Sequence, residues 1–174
     1  ENTGIYYLSD LEGDSVRSPR ISWPDYLDLK AQQRSFAGIG GLTSQAKATW
    51  EVQGRRRSVQ LVNVESDLFR LAGIRPLLGR LVGDSDCRDD AAPVAVITES
   101  LWRRQFGAHA GVLEAVIRLD GEPFTLVGVV PDEALSLLRE RKELFDDDEG
   151  GECVIAPLAD RGGTGPRGQP RLRE

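Results

Sequence analysis

No methionine occurs in the 174 residues, so we expect a processed product or an excised domain rather than a complete translated chain. Long apolar runs are also missing. None approaches the roughly 18–20 residues that a membrane helix needs. The first residues, Glu1-Asn2-Thr3-Gly4, are polar and lack the basic start of a signal peptide. For an excised domain that says nothing about location. Lysine is almost absent, at Lys30, Lys47 and Lys142 only, and arginine carries the positive charge. The formal net charge of −6 argues against a general nucleic-acid binder, which shows a basic face.

Reactive residues are scarce as well. His109 is the only histidine. It sits in Gly107-Ala108-His109-Ala110-Gly111, which reads as an exposed loop. Two cysteines, Cys87 and Cys153, stand far apart without the spacing of a metal site. They form one disulfide in an oxidising compartment or two free thiols in a reducing one, and sequence does not choose. The run Asp146-Asp147-Asp148-Glu149 lacks the alternating oxygen ligands of a calcium loop and reads as a solvated turn. No nucleophile elbow or serine–lysine dyad appears. The glycines at 38, 40 and 41 follow a helix and lack a Gly-Lys-Ser/Thr ending, so they read as a turn or hinge, not a nucleotide loop. No residue stands out as catalytic, cofactor-binding or metal-ligating.

What is present belongs to an ordinary globular domain: 40% hydrophobic and 29% charged residues. The clearest signal is residues 118–131, where Asp120-Gly121 supplies a hairpin turn and Pro131 ends the ladder. Before it, residues 5–8 read as a strand and 9–20 as a polar loop. A helix follows from Trp23 to about Ser35, with Ser22 as N-cap. Residues 42–52 alternate with period two, placing Ala46, Ala48, Trp50 and Val52 on one face. Residues 56–64 form the next strand, with Val59 and Leu61 on one side and Val62 and Val64 nearer the other. Ser66 caps a short helix that Gly73 stops. Residues 82–92 read as an acidic surface loop, and 94–97 as a buried strand. Thr98 caps a helix over 99–106, closed by Gly107. Trp23, Trp50 and Trp102 read as core or half-buried packing residues, any one of which could instead form an interface. After the hairpin come a helix over 134–145, a strand over 153–158 and a mobile tail over 159–174. Mixed order and hairpins predict an α+β domain with mixed, largely antiparallel sheets and short helices.

Several stretches in order resemble one family. They are Ser22-Trp23-Pro24-Asp25-Tyr26-Leu27-Asp28-Leu29 with Arg34-Ser35-Phe36, Val62-Asn63-Val64-Glu65-Ser66-Asp67-Leu68-Phe69, and Leu71-Ala72-Gly73-Ile74-Arg75-Pro76 with Leu78-Gly79-Arg80. Pro93-Val94-Ala95-Val96-Ile97-Thr98, Leu101-Trp102-Arg103-Arg104-Gln105-Phe106-Gly107 and the hairpin complete the series. Together they resemble the MacB-like periplasmic core domain of ABC transporter permeases (the MacB/FtsX-type family). The resemblance implies one extracytoplasmic domain over 1–174, incomplete at its C-terminal end, with a membrane-proximal βα part and an inserted distal part. It implies a bacterial cytoplasmic-membrane permease with this domain on the periplasmic or extracellular side. The implied partners are a second permease subunit in a dimer, a cytoplasmic ABC ATPase, and a periplasmic adaptor or exported substrate, with no nucleic acid. The implied role is non-catalytic: passing ATPase-driven motion across the membrane for efflux or envelope work, without a cofactor.

The sequence departs from the family in two places. A family glycine in a Val-hydrophobic-Gly pattern is replaced near Glu114 and Ala115. The tail does not resemble the family's returning helix and strand, which would leave one sheet edge unpaired. Candidate contact surfaces are Arg55, Arg56 and Arg57 at a hairpin tip and the acidic stretches 84–90 and 146–149. The arginines read first as a solvated turn, and as a contact for phosphates, or for anionic lipid head groups if the domain lies near a membrane. Candidate hinges are 38–41 and 107–111. The rival readings are a small α+β hydrolase and a free-standing soluble binding or scaffold module.

Overall fold

The computed structural model describes residues 10–12, 15–17, 23–44, 47–52, 54–88, 90–136 and 152–158. They fall into two compact units, residues 1–39 and 40–174. The expected strand over 5–8, the Ser22 cap, most of the helix over 134–145, the acidic run 146–149 and the tail lie outside the described residues.

In the first unit the expected polar loop contains an antiparallel pair, β1 (Asp10–Glu12) and β2 (Ser15–Arg17), with Leu11 opposite Val16. Two residues separate the strands, which is hairpin spacing. Polar composition hid it, because the ladder is made by backbone groups. Helix α1 (Trp23–Gln32) stops short of Ser35. The Gln33 side-chain oxygen accepts the Phe36 N–H at 3.1 Å and turns the chain away. The buried Tyr26 donates its hydroxyl to the Ile39 carbonyl at 3.3 Å.

The second unit holds an eight-stranded mixed sheet. Its strands are β3 (Leu42–Ser44), β4 (Ala48–Val52), β5 (Arg55–Val64), β6 (Leu78–Gly79), β7 (Val94–Thr98), β8 (Val116–Leu119), β9 (Glu122–Val130) and β10 (Cys153–Pro157). Hydrogen-bonded neighbours run β5–β4–β8–β9–β7–β10 and return to β5, so six strands close a ring. The β7–β9 and β10–β5 ladders are parallel and the others antiparallel. Among the described residues the last strand is interior to the sheet. β10 takes β5 on one side and β7 on the other, pairing Ile155 with both Val62 and Val96.

Each face of this sheet carries its own core. All six ring strands feed one cluster, including Trp50, Leu61, Ile97, Ile117, Leu126 and Val154. Helix α3 (Glu99–Phe106) adds Leu101 to it. On the other face Val62, Val64, Val96, Val130 and Ile155 pack with Phe69 of helix α2 (Ser66–Leu71), Val82 and Ala134. The two-sided reading of residues 59–64 therefore holds. β7 is buried along its whole length, as its unbroken apolar run requires.

Asp120 (φ 52°) and Gly121 (φ 87°) both adopt the left-handed conformation of a type I′ turn, and Leu119 pairs with Glu122 across it. Further along β9 the register against β7 slips, Ala95 pairing with Leu126 and Val96 with Gly128. Val127 is the extra residue of a bulge. The bulge lets Leu126 and Val129, three apart, serve the same core.

Three local expectations fail because tertiary partners override the local pattern. The run 42–52 is two strands, β3 and β4, docked on different parts of β5. Ser66 is the first residue of α2, and its hydroxyl donates to Asp84 instead of capping. Thr98 precedes α3 without capping it, because its hydroxyl oxygen accepts the Cys153 N–H at 3.1 Å. Asp132 does the capping, accepting the Ser100 N–H at 3.0 Å and the Ser100 hydroxyl. Gly73 (φ 67°) and Gly107 (φ 58°) close α2 and α3 as expected.

The family departure at Glu114 has a physical reading. Glu114 is held at φ 69°, where a side chain is strained and glycine is not. We expect Glu114→Gly to stabilise the chain by about 1 kcal/mol, the order of the left-handed penalty for an L-residue. A rise in thermal midpoint checks this.

Candidate interaction surface

Arg55, Arg56 and Arg57 lie on the β4–β5 hairpin, opposite Val52, Glu51 and Trp50 respectively. All three are exposed, but strand alternation separates them. Arg56 points to the face where Glu51 accepts its Nε at 3.1 Å. Arg55 and Arg57 share the other face, with Trp50 and Val59, at the mouth of a small cleft. Leu101 and Gln105 of α3 and Glu152, just before β10, line its remaining walls. The structure thus splits the predicted triplet into one paired surface arginine and two that border a cleft.

Sequence reasoning missed the residues that complete this cleft. Trp50 is buried and stacks its ring 6.1 Å from that of Phe106 at 35°. Its pairing with Arg57 could have been read by counting back from the Gly54 turn. Gln105 and Glu152 could not, since tertiary packing alone brings them to the hairpin.

Within the acidic stretch 84–90, Asp84 and Asp90 are exposed, but Asp86 is not a free surface group. Residues Asp84–Cys87 form a 3-10 turn, and Asp86 is buried. Its carboxylate takes two bonds from Arg80, at 2.5 and 2.9 Å, and the Gly83 N–H at 2.8 Å. Asp90 pairs with Arg88 at 2.9 Å. Burial alone would push the Asp86 pKa up. The Arg80 and Gly83 hydrogen bonds and the guanidinium charge outweigh it, so the carboxyl sits below its usual range. With the folded pKa depressed, the contribution is present above the unfolded value near ~3.9 and is lost as pH falls through the lower folded value. We expect Asp86→Asn to cost about 2 kcal/mol near neutral pH, in the range for hydrogen bonds to charged groups. In urea titrations the wild-type advantage should shrink as the pH falls below about 4.

The candidate hinges are also constrained. A Cβ on Gly40 would lie 2.8 Å from Leu68 Cα, so the backbone packs directly on α2. Gly41 and Glu65 bond reciprocally, through Glu65 N–H to Gly41 O at 2.9 Å and Gly41 N–H to the Glu65 carboxylate at 3.3 Å. His109 is exposed, and its carbonyl accepts the Trp102 indole N–H at 2.9 Å. No disulfide joins Cys87 and Cys153; Cys153 is buried and Cys87 half-buried, and burial pushes the Cys87 thiol pKa up. Among the described residues no three His, Cys, Asp or Glu side chains are grouped to hold a metal ion. No described helix is long and apolar enough to cross a membrane.

The described strands thus make a mixed α+β ring with a basic hairpin tip. The sequence matches the MacB-like periplasmic core domain family over residues 2–164, and the chain belongs to that family. The fold is similar to the periplasmic region of MacB from Actinobacillus actinomycetemcomitans, with TM-score 0.60 and 21% identity over 81% of this chain and 58% of that one. It is also similar to a domain of a protein assigned as a permease from Porphyromonas gingivalis, with TM-score 0.51 and 16% identity over 75% of this chain and 54% of that one. The extracellular domain of the noncanonic ABC-type transporter YknZ from Gram-positive bacteria aligns at TM-score 0.47 and 16% identity, over 67% of this chain and 52% of that one. This chain therefore spans between about half and three-fifths of each of these structures. No curated protein matches it.

Proposed function

We propose that this chain is the extracytoplasmic domain of an ABC transporter permease and does mechanical rather than catalytic work. The family match over residues 2–164 carries the reading. In this reading the permease is a dimer driven by a cytoplasmic ATPase. The domain passes changes in the spacing of the membrane helices outward, for efflux or envelope work, to an adaptor or an exported substrate. A closed ring suits that role, since a body that moves as a unit transmits displacement better than one that deforms.

Spin labels on the full-length permease with its ATPase test the reading. One label goes at Asp120, on the exposed hairpin turn, and a second at Arg75, exposed on the same unit. Distances between Asp120 labels on the two subunits should change between nucleotide-free and ATP-bound states. The Asp120–Arg75 distance within one subunit should not. An inter-subunit distance indifferent to nucleotide would refute mechanical coupling.

A further inference from the structure

Three residues that line the cleft beside the β4–β5 hairpin carry an unusual set of atoms. Trp50 Nε1, Gln105 Nε2 and Glu152 Oε1 are all buried, and none makes a hydrogen bond. Arg104 Nε lies 2.8 Å from Glu152 Oε1, close enough for an ion pair but off hydrogen-bond geometry. Buried polar atoms rarely go unpaired. Here all three belong to residues lining one cleft.

The inventory of these atoms specifies a ligand. Two are N–H donors and one is a carboxylate acceptor. A hydroxyl oxygen is the complement, with two lone pairs to accept and one proton to donate. Size agrees: the cleft holds ≈ 10 Å³, about the room of one water-sized oxygen. At its mouth stand Arg55 and Arg57, two residues apart on the same strand face, and neither is ion-paired among the described residues. Two guanidinium forks side by side suit a phosphate, which has more acceptor oxygens than a carboxylate.

We propose that this cleft is a binding site for a hydroxyl carried on a phosphoester, as in a glycerol phosphate. The hydroxyl enters between Trp50, Gln105 and Glu152, and the phosphate stays outside on Arg55 and Arg57. This goes beyond the mechanical role and does not depend on it, since binding is read without ATP.

The test follows the indole N–H resonances of the ¹⁵N-labelled chain, with the Trp50 signal identified by its loss in Trp50→Phe. Glycerol 3-phosphate should move the Trp50 signal with millimolar affinity, while glycerol or inorganic phosphate alone should need at least ten times more. Arg55→Ala/Arg57→Ala, at exposed positions where folding is not at stake, should weaken binding at least tenfold. Vesicles containing phosphatidylglycerol, compared with phosphatidylcholine alone, separate the sources. A response to these vesicles supports a lipid head group, and a response to the free probe supports a soluble phosphoester. If inorganic phosphate binds as well as glycerol 3-phosphate, or the double variant binds normally, the proposal is overturned. No movement with either source means that water alone occupies the cleft, which also overturns it.

Discussion

Gly128→Val should unfold the domain or cost it on the order of 4 kcal/mol, among the largest effects a single substitution has. Gly128 pairs with Gly79 where β6 crosses β9. A Cβ on Gly128 would lie 1.9 Å from the Arg80 carbonyl oxygen, and one on Gly79 would lie 2.2 Å from that of Val127. Both obstacles are backbone, so no rotamer change relieves them. The segment cannot back away cheaply either. Leu77 N–H bonds Val129 O at 2.8 Å, and Arg80 N–H bonds Val127 O at 2.9 Å. Even Gly128→Ala should lower the urea midpoint sharply. A Gly128→Val variant with wild-type stability would show that β6 and β9 do not approach so closely. One that folded normally but had lost only transport would show that the hairpin does more than hold shape.

The second large effect is at Ile155. It is fully buried and pairs with Val62 on β5 and Val96 on β7. Ile155→Ala removes packing at the seam of the ring and should cost about 4 kcal/mol, within the range for buried Ile→Ala. Ile155→Val should cost about 1 kcal/mol. For a chain of this size the alanine variant should melt roughly 10 °C lower. A loss under 1 kcal/mol in Ile155→Ala would mean that β10 is a peripheral strand and the ring is not closed by it.

These two sites differ in how far the sequence revealed them. The hairpin at 118–131 was legible, because Asp120-Gly121 and the flanking apolar residues are a local signal. The division of Val59 and Leu61 from Val62 and Val64 was legible for the same reason. The place of β10 was not. Its apolar run says strand, but nothing local says that it joins β5 to β7. The caps failed in the same way. Ser66 and Thr98 carry the sequence mark of an N-cap, yet Thr98 spends its hydroxyl on Cys153, 55 residues away. At the candidate surface, the arginine triplet was visible in sequence. The buried Trp50, Gln105 and Glu152 behind it were not, because three separate elements bring them together.

Closure of the six strands also bears on how the domain comes apart. A flat sheet can lose its outermost strand and keep the rest. A circuit has no outermost strand, so removing any member breaks at least two ladders in one event. Amide protons in β5, β7, β9 and β10 should therefore exchange as one cooperative block rather than fraying strand by strand.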